Sequence, residues 1–396
     1  MNDPSTVSPD AWIAGPLGIL ATLAGVASFF FLLEKRTGWK LFDLFPPLLF
    51  IYAVPLLLSN TGVIANRSPL YDWMGETVLP MFLVLMLLDV DFLAAVRIMG
   101  KGILVLLCGT AGIVLGAPVA YSLVKHGLDP DAWKGFGALA GSWIGGTGNM
   151  GAVAKGLNTP PSAFGLAVLT DATVYLVWLP ILLGSKSCAR WFNRFARVDP
   201  KRIEMLERRS GGLAQDKGRP EMRHVLYLLF LGLFVPCVAR VLVVYLPEFP
   251  PVLTTGSWEI LLITTLAILL SMTPAKRIPG SGELAVALVY LFVAQMGARA
   301  EIAGLARQAL WFVLGGFIWI AVHGVFCVAG ARVLRVDVHS TAIASAANVG
   351  GIASAPIVAA YHNRKLVPVS VLMALIGYAV GNYGAFAAAW LCYLVP

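Results

Sequence analysis

Apolar runs of about 20 residues fill nearly the whole chain, separated by short polar connections. They fall at 12–33, 42–58, 73–95, 102–124, 136–154 and 162–184, then at 225–246, 257–272, 282–298, 308–330, 339–360 and 366–395. Runs of this length and polarity predict membrane-spanning helices, six in each half. The fifth run of each half is different. Gly141-Ser-Trp-Ile-Gly-Gly-Thr-Gly-Asn-Met-Gly151 and Ser345-Ala-Ala-Asn-Val-Gly-Gly-Ile-Ala-Ser354 break the pattern with glycines and short polar side chains. Inside a bilayer such a break is tolerated only where it lines a cavity or lies buried in protein. Interruptions at matching places in two halves of a membrane protein point to the substrate site of a secondary transporter. The repeat rests on order and spacing, because identities between the halves are few; Leu87-Leu-Asp-Val-Asp91, for instance, falls against Val293-Ala-Gln-Met-Gly297.

The charges between the runs refine this picture. Glu34–Lys40 and Arg97–Lys101 are basic and read as cytoplasmic, whereas Thr61–Asp72 and Lys125–Lys134 are mixed and read as outside. Between Lys186 and Arg223 lie eleven of the 29 Lys and Arg residues, with five acids, so this linker also belongs inside. A full crossing by the fifth run would deliver the linker to the wrong face. A re-entrant hairpin, entering from outside and returning there, removes the conflict and leaves five crossings per half. The second half then starts inside, passes basic connections at Lys276–Arg277 and Arg332–Arg335, and dips from the inside at its own Gly-rich run. Both termini fall outside, as do Arg299 and Arg307, against the charge rule. A broken helix that crosses fully is the alternative for each Gly-rich run.

Composition agrees with the class. Of 396 residues 58% are hydrophobic and 13% charged, against about 45–50% and about 25% in soluble domains. The mean hydropathy is +0.80. The net charge of +8 is concentrated in the linker, which argues against a nucleic-acid partner. Val198–Arg209 is spaced for a short surface helix, and 211–219 for a flexible segment. The five cysteines are scattered without a CxxC spacing, so neither a disulfide framework nor a cysteine metal site is expected. Met1–Asp10 carries two acids and no Lys or Arg, unlike the basic start of a signal peptide. The expectation is an all-α integral membrane protein of two inverted repeats of about five transmembrane helices, each with a re-entrant or broken Gly-rich element. The first repeat spans 1–184, a basic cytoplasmic linker 185–223 and the second repeat 224–396.

Four segments carry a family resemblance. Gly141-Ser-Trp-Ile-Gly-Gly-Thr-Gly-Asn-Met150, Leu169-Thr-Asp-Ala-Thr-Val-Tyr-Leu-Val-Trp178, Ala344-Ser-Ala-Ala-Asn-Val-Gly-Gly351 and Ile376-Gly-Tyr-Ala-Val-Gly-Asn382 resemble the YjcL-like family of bacterial and plant membrane proteins of unknown function. The similarity runs through nearly the whole chain. That family is in turn similar in architecture to sodium/proton antiporters, bile-acid sodium symporters and sodium/glutamate symporters. The resemblance implies a secondary transporter in which a mobile core shifts like an elevator against a scaffold. It supplies no substrate.

Candidate chemistry follows from polar groups at membrane depth. Asp171 lies near the middle of its run beside Thr170, Thr173 and Tyr175, and a carboxylate there is by default a functional-site candidate. With Thr170 it could hold a sodium ion or carry a proton; the alternative is a structural hydrogen bond to the neighbouring hairpin. Asp89 and Asp91 end the third run, where one of them is a further cation-ligand candidate and solvation at a helix end is the alternative. Residues two apart on a helix point about 200° apart, so both face one site only if the helix breaks there. Gln295 stands opposite Asp89 in the second half as a neutral oxygen ligand. Ser142, Thr147, Asn149, Ser345, Asn348 and Ser354 offer hydroxyl and amide groups beside the glycines, and hairpin helix N-termini favour an anionic group. Close helix packing is the structural alternative for these small residues. Tyr378 and Asn382 share one face of the last run and mirror the Asp171 region without a carboxylate. Any ion site is therefore asymmetric and centred on the first half. His323 reads as a bonded core histidine, and Trp143 either closes over a ligand or packs.

Rival classes fare less well. The chain has no GxSG-type nucleophile, no Gly-x-Gly-Asp element because Gly146-Thr-Gly-Asn149 ends in Asn, and no GxxxxGK[ST] loop. An enzyme is therefore disfavoured, and no cofactor beyond a sodium ion is expected. A channel, or a cation/proton antiporter without organic substrate, remains the alternative. The reading that results is a cation-coupled transporter of a small polar or anionic organic solute, sodium before protons, in a bacterial inner membrane. A homodimer is the expected assembly.

Overall fold

The computed structural model describes residues 11–39, 42, 47–88, 90, 100–199, 218–300 and 302–396, with the side chains of 302–307 excepted. Regular structure there is helical, apart from isolated bridges pairing Ile13 with Ile64 and Phe249 with Leu253. The chain is an all-α membrane protein, and eight helical stretches are long and apolar enough to cross a bilayer among the described residues. Two shorter apolar helices, Pro47–Asn60 and Thr255–Ser271, accompany them.

The first half begins with α1 (Pro16–Thr37), α2 (Pro47–Asn60) and α3 (Pro69–Leu88). Proline starts each, where its fixed φ suits the first turn and its missing N–H costs nothing. α3 relaxes into a π turn at Met74–Val78, just before Pro80. Pro80 cannot donate to the Glu76 carbonyl. Arg240 does so instead, its Nη2 lying 2.6 Å from that oxygen, while its Nε pairs with Glu259 at 2.8 Å. There follow α4 (Lys101–Val124), α5 (Ala132–Gly156) and α6 (Pro161–Gly184), then α7 (Ala189–Phe195), a short helix at the head of the linker. The surface helix expected at Val198–Arg209 lies outside the described residues beyond 199, as does most of the segment expected to be flexible.

The second half comprises α8 (Met222–Val243), α9 (Thr255–Ser271), α10 (Ser281–Arg299), α11 (Ile302–Leu334), α12 (Val338–Asn348), α13 (Gly351–Asn363) and α14 (Val367–Tyr393). Packing sorts the helices into two groups that each draw on both halves. In one, α3 packs on α8, α9 and α10, and α2 packs on α1 and α10. In the other, α4 lies along α11, α6 along α11, and α14 along α4 and α5. The α4–α11 contact is close because Gly109, Gly112 and Gly116 face His323, Phe326 and Trp319; a Cβ at Gly112 would stand 2.6 Å from that of Phe326. Outward stripes such as Leu226, Phe230 and Phe234 on α8 are half exposed or more and meet the lipid.

Both Gly-rich segments are helical hairpins. α5 consists of two helical arms that meet at Gly146, whose φ of 76° and ψ of −178° make a conformation reserved for glycine. The chain reverses there. A Cβ at Gly137 would lie 2.7 Å from the Leu157 side chain, although 20 residues of straight helix would separate them by about 30 Å. In the second segment Gly350 (φ 120°) and Gly351 (φ 57°) make the reversal, and at the base His339 and His362 join Nδ1 to Nδ1 at 2.9 Å. Of the two alternatives, re-entrant or fully crossing, the hairpin is what these residues form. The base of the first hairpin lies at the C-terminal end of α14, where the Trp133 and Tyr393 rings are 5.5 Å apart. The base of the second runs into the N-terminal end of α14 and touches the C-terminal end of α6, with His362 Nε2 at 2.9 Å from the Leu182 carbonyl. The hairpins thus enter the bundle from its opposite ends.

Candidate substrate site between the hairpin tips

The tips meet. A Cβ on Gly351 would stand 3.9 Å from the Gly146 Cα, and the Tyr378 ring lies 2.8 Å from where a Gly146 Cβ would be. Beside them opens a cavity of about 370 Å³ between the two helix groups. One wall comes from α2, α3 and α10, through Leu48, Met86, Ala285, Val289 and Tyr290. The other comes from both tips, α6 and α14.

Among the described residues, Asp171 is the single charged side chain in the lining. It sits midway along α6, and both of its oxygens are held by the first arm of the first hairpin. Ser142 Oγ donates to Oδ2 at 2.9 Å, and Trp143 Nε1 donates to Oδ1 at 2.9 Å. Trp143 is fully buried and its ring lies 4.7 Å from that of Trp319 on α11, so it orients the carboxylate rather than covering a ligand. Tyr175, one turn beyond Asp171, reaches the second hairpin, where a Cβ at Gly350 would be 3.0 Å from its ring. The first turn of α13, including Ser354, and the turn after Gly146, including Thr147, also line the cavity. Two helix N-termini and one fixed carboxylate therefore share a single space.

Of the residues singled out in the sequence, the cavity gathers Ser142, Thr147, Asp171, Ser354 and Tyr378. The others stand outside its lining. Asn149 is buried and donates to the Tyr378 carbonyl at 2.8 Å, fastening hairpin to α14. Ser345 lies between Trp178 Nε1, which donates to its Oγ at 3.0 Å, and His323 Nε2 at 2.9 Å. His323 in turn bonds the Gly109 carbonyl through Nδ1, so it is a bonded core histidine. Asn348 donates to the Leu106 carbonyl at 3.2 Å, and Asn382 to Thr264 Oγ1 at 2.8 Å. The Thr170 methyl packs where a Cβ on Gly316 of α11 would be. Gln295 is buried in α10, away from the lining. Asp89 and Asp91 lie outside the described residues.

A sodium ion seeks oxygen ligands. No cluster of three His, Cys, Asp or Glu occurs among the described residues. Asp171 and the Ser142 and Thr147 hydroxyls bring side-chain oxygens to the cavity. Asn149 Oδ1, Thr170 Oγ1, Gln295 Oε1 and Asn382 Oδ1 are buried oxygens without a hydrogen-bond partner among the described residues.

Residues 21–394 match the family model described as a protein of unknown function, DUF819. The chain belongs to that family. It is also 26% identical over 394 residues to the uncharacterized membrane protein YjcL of Bacillus subtilis (strain 168), covering 97% of each chain. The resemblance seen in the four sequence segments is therefore upheld. Sequence reasoning missed the DUF819 chain's Tyr290 and the apolar wall of α10, because Ala285 and Val289 look like any other lipid or core positions. The signal available for Tyr175 was its one-turn spacing from Asp171.

Proposed function

We propose that the chain is a secondary transporter that carries a small polar solute, coupled to a cation, through alternating access of the cavity between the hairpin tips. The observation that carries this reading is the meeting of two oppositely entering hairpin tips at a cavity with one buried carboxylate. Irregular backbone at that depth serves to line a site. The repeated helix order and the opposite entry of the hairpins support inverted repeats, with α1–α6 matching α8–α14.

The polarity of the cavity walls supports an elevator motion. The polar groups, apart from the Tyr290 hydroxyl, belong to the hairpins, α6 and α14, while α2, α3 and α10 offer apolar side chains. A solute held by one helix group could therefore slide past the other without breaking hydrogen bonds to it. In this reading Asp171 takes the coupling cation, sodium before a proton, and the tips take the solute. The linker faces the cytoplasm of a bacterial inner membrane, and both termini face outward. Arg299 pairs with Asp72 at 3.6 Å, which puts this Arg on the same face as the connection expected outside.

Counterflow tests the reading. Purified protein in liposomes preloaded with a panel of unlabelled solutes should draw in the matching labelled solute against its gradient, and Asp171→Asn should abolish the sodium effect. Equal leakage of all solutes down their gradients would identify a pore and sink the proposal.

A further inference from the structure

The charge balance of the cavity narrows what it carries. Asp171 is its one charged lining residue; among the described residues no Lys, Arg or His reaches it. An ionised Asp171 gives the site a charge of −1, and the facing wall of Leu48, Ala285 and Val289 has no group to offset it. Dragging an unbalanced charge past such a wall is expensive. The bound ligands must therefore bring +1 in total. The tips add a second constraint. The Ile352 amide donates to the Tyr378 hydroxyl, and the first turn of α13, which has no side-chain cap at Gly350, lines the cavity together with the turn after Gly146, bringing helix N-terminal amides to it. Such amides attract an electronegative group. A simple amine would balance Asp171 but offers the tips nothing. A simple anion suits the tips but needs two cations, where the lining has one carboxylate among the described residues. The remaining lining is aliphatic and aromatic, and its volume lies at the small end of ligand pockets.

We infer that the cavity takes a small net-neutral zwitterion with an apolar body, an aliphatic amino acid, together with one monovalent cation. Its carboxylate lies at the tips, and its body lies against α10. The inference rests on the cavity being the transport site. Of the polar or anionic solutes expected from the sequence, it selects a polar one and excludes the anionic ones by the number of cations they would need.

Three probes of one shape test it: L-leucine, its deaminated acid 4-methylpentanoate and its decarboxylated amine 3-methylbutylamine. Each is offered to the full-length protein in sodium, in N-methyl-D-glucamine at neutral pH, and in N-methyl-D-glucamine at mildly acidic pH. Leucine should raise the melting midpoint and drive counterflow when a cation is supplied, and the last two conditions distinguish proton from sodium. The acid and the amine should bind at least about tenfold more weakly, the scale of one lost ionic contact. Asp171→Asn, already neutral, should bind leucine without regard to sodium or pH. If that variant does not fold, Thr147→Val with Ser354→Ala should weaken leucine about fivefold and keep the sodium requirement. A probe of unbalanced charge that matches leucine overturns the inference. So does indifference to leucine in a protein that exchanges some other solute, an outcome that leaves the transporter reading standing. Unselective leakage of all three would instead remove the transporter reading itself.

Discussion

The Asp171 carboxylate is held by two donors from adjacent residues, Ser142 and Trp143. Hydrogen bonds to a charged group contribute about 1.5–3 kcal/mol each. Trp143→Phe keeps the ring packed near Trp319 but releases Oδ1, so the melting temperature should drop with the loss of that bond, and the apparent solute affinity, read by saturation of counterflow, should fall about tenfold or more. Unchanged affinity would show that the bond has no part in the site. At Gly146 the demand is conformational. Gly146→Ala should cost about 1–3 kcal/mol from its backbone angles alone, and the new methyl would meet the Tyr378 ring, so both melting temperature and solute binding should drop. Asp171 was visible in the sequence because a carboxylate in an apolar run is costly. Its donor Trp143 was not, because an indole in a Gly-rich run reads equally as packing. Asn149 and Asn348 drew attention for the same polarity as Ser142, yet they bond the Tyr378 and Leu106 carbonyls and serve to hold the hairpins in place.

At the scale of elements, the hairpins were legible through charge rather than through hydropathy. The backbone along 132–156 is helical on both sides of Gly146, and the reversal at that glycine separates the arms. Gly137→Cys with Leu157→Cys should cross-link under mild oxidation in the folded protein, seen as a linked peptide by mass spectrometry. A straight crossing helix would leave the pair about 30 Å apart and unlinked. The close approach of hairpin to α14 was not legible. Gly377 and Gly381 on α14 admit the Ile144 carbonyl and the Asn149 amide, a fit that needs both partners to be known at once. The π turn of α3 has a similar origin, since Pro80 announces a missing donor but gives no hint that Arg240, far along the chain, supplies the replacement.

For the whole molecule, the proposed orientation rests on the charge of the linker. Cys188 is exposed at the start of α7, in the segment expected to face the cytoplasm. With the other four cysteines replaced, Cys188 should react with a membrane-impermeant maleimide only after cells are opened; labelling of intact cells would invert the proposed topology. The fold class was legible because long apolar runs alone mark an all-α membrane protein. The division into two helix groups was not, because each group mixes α1–α6 with α8–α14, and sequence order says nothing of which helices separate.

The one-sided cavity has a consequence for inhibition. A ligand that fits the tips but carries a rigid apolar extension toward Met86 and Val289 would be held by one group of helices while jutting into the other. Under the proposed elevator motion such a compound would act as a wedge, occupying the site with good affinity yet arresting its movement, and potency would rise with the length of the extension rather than with its polarity.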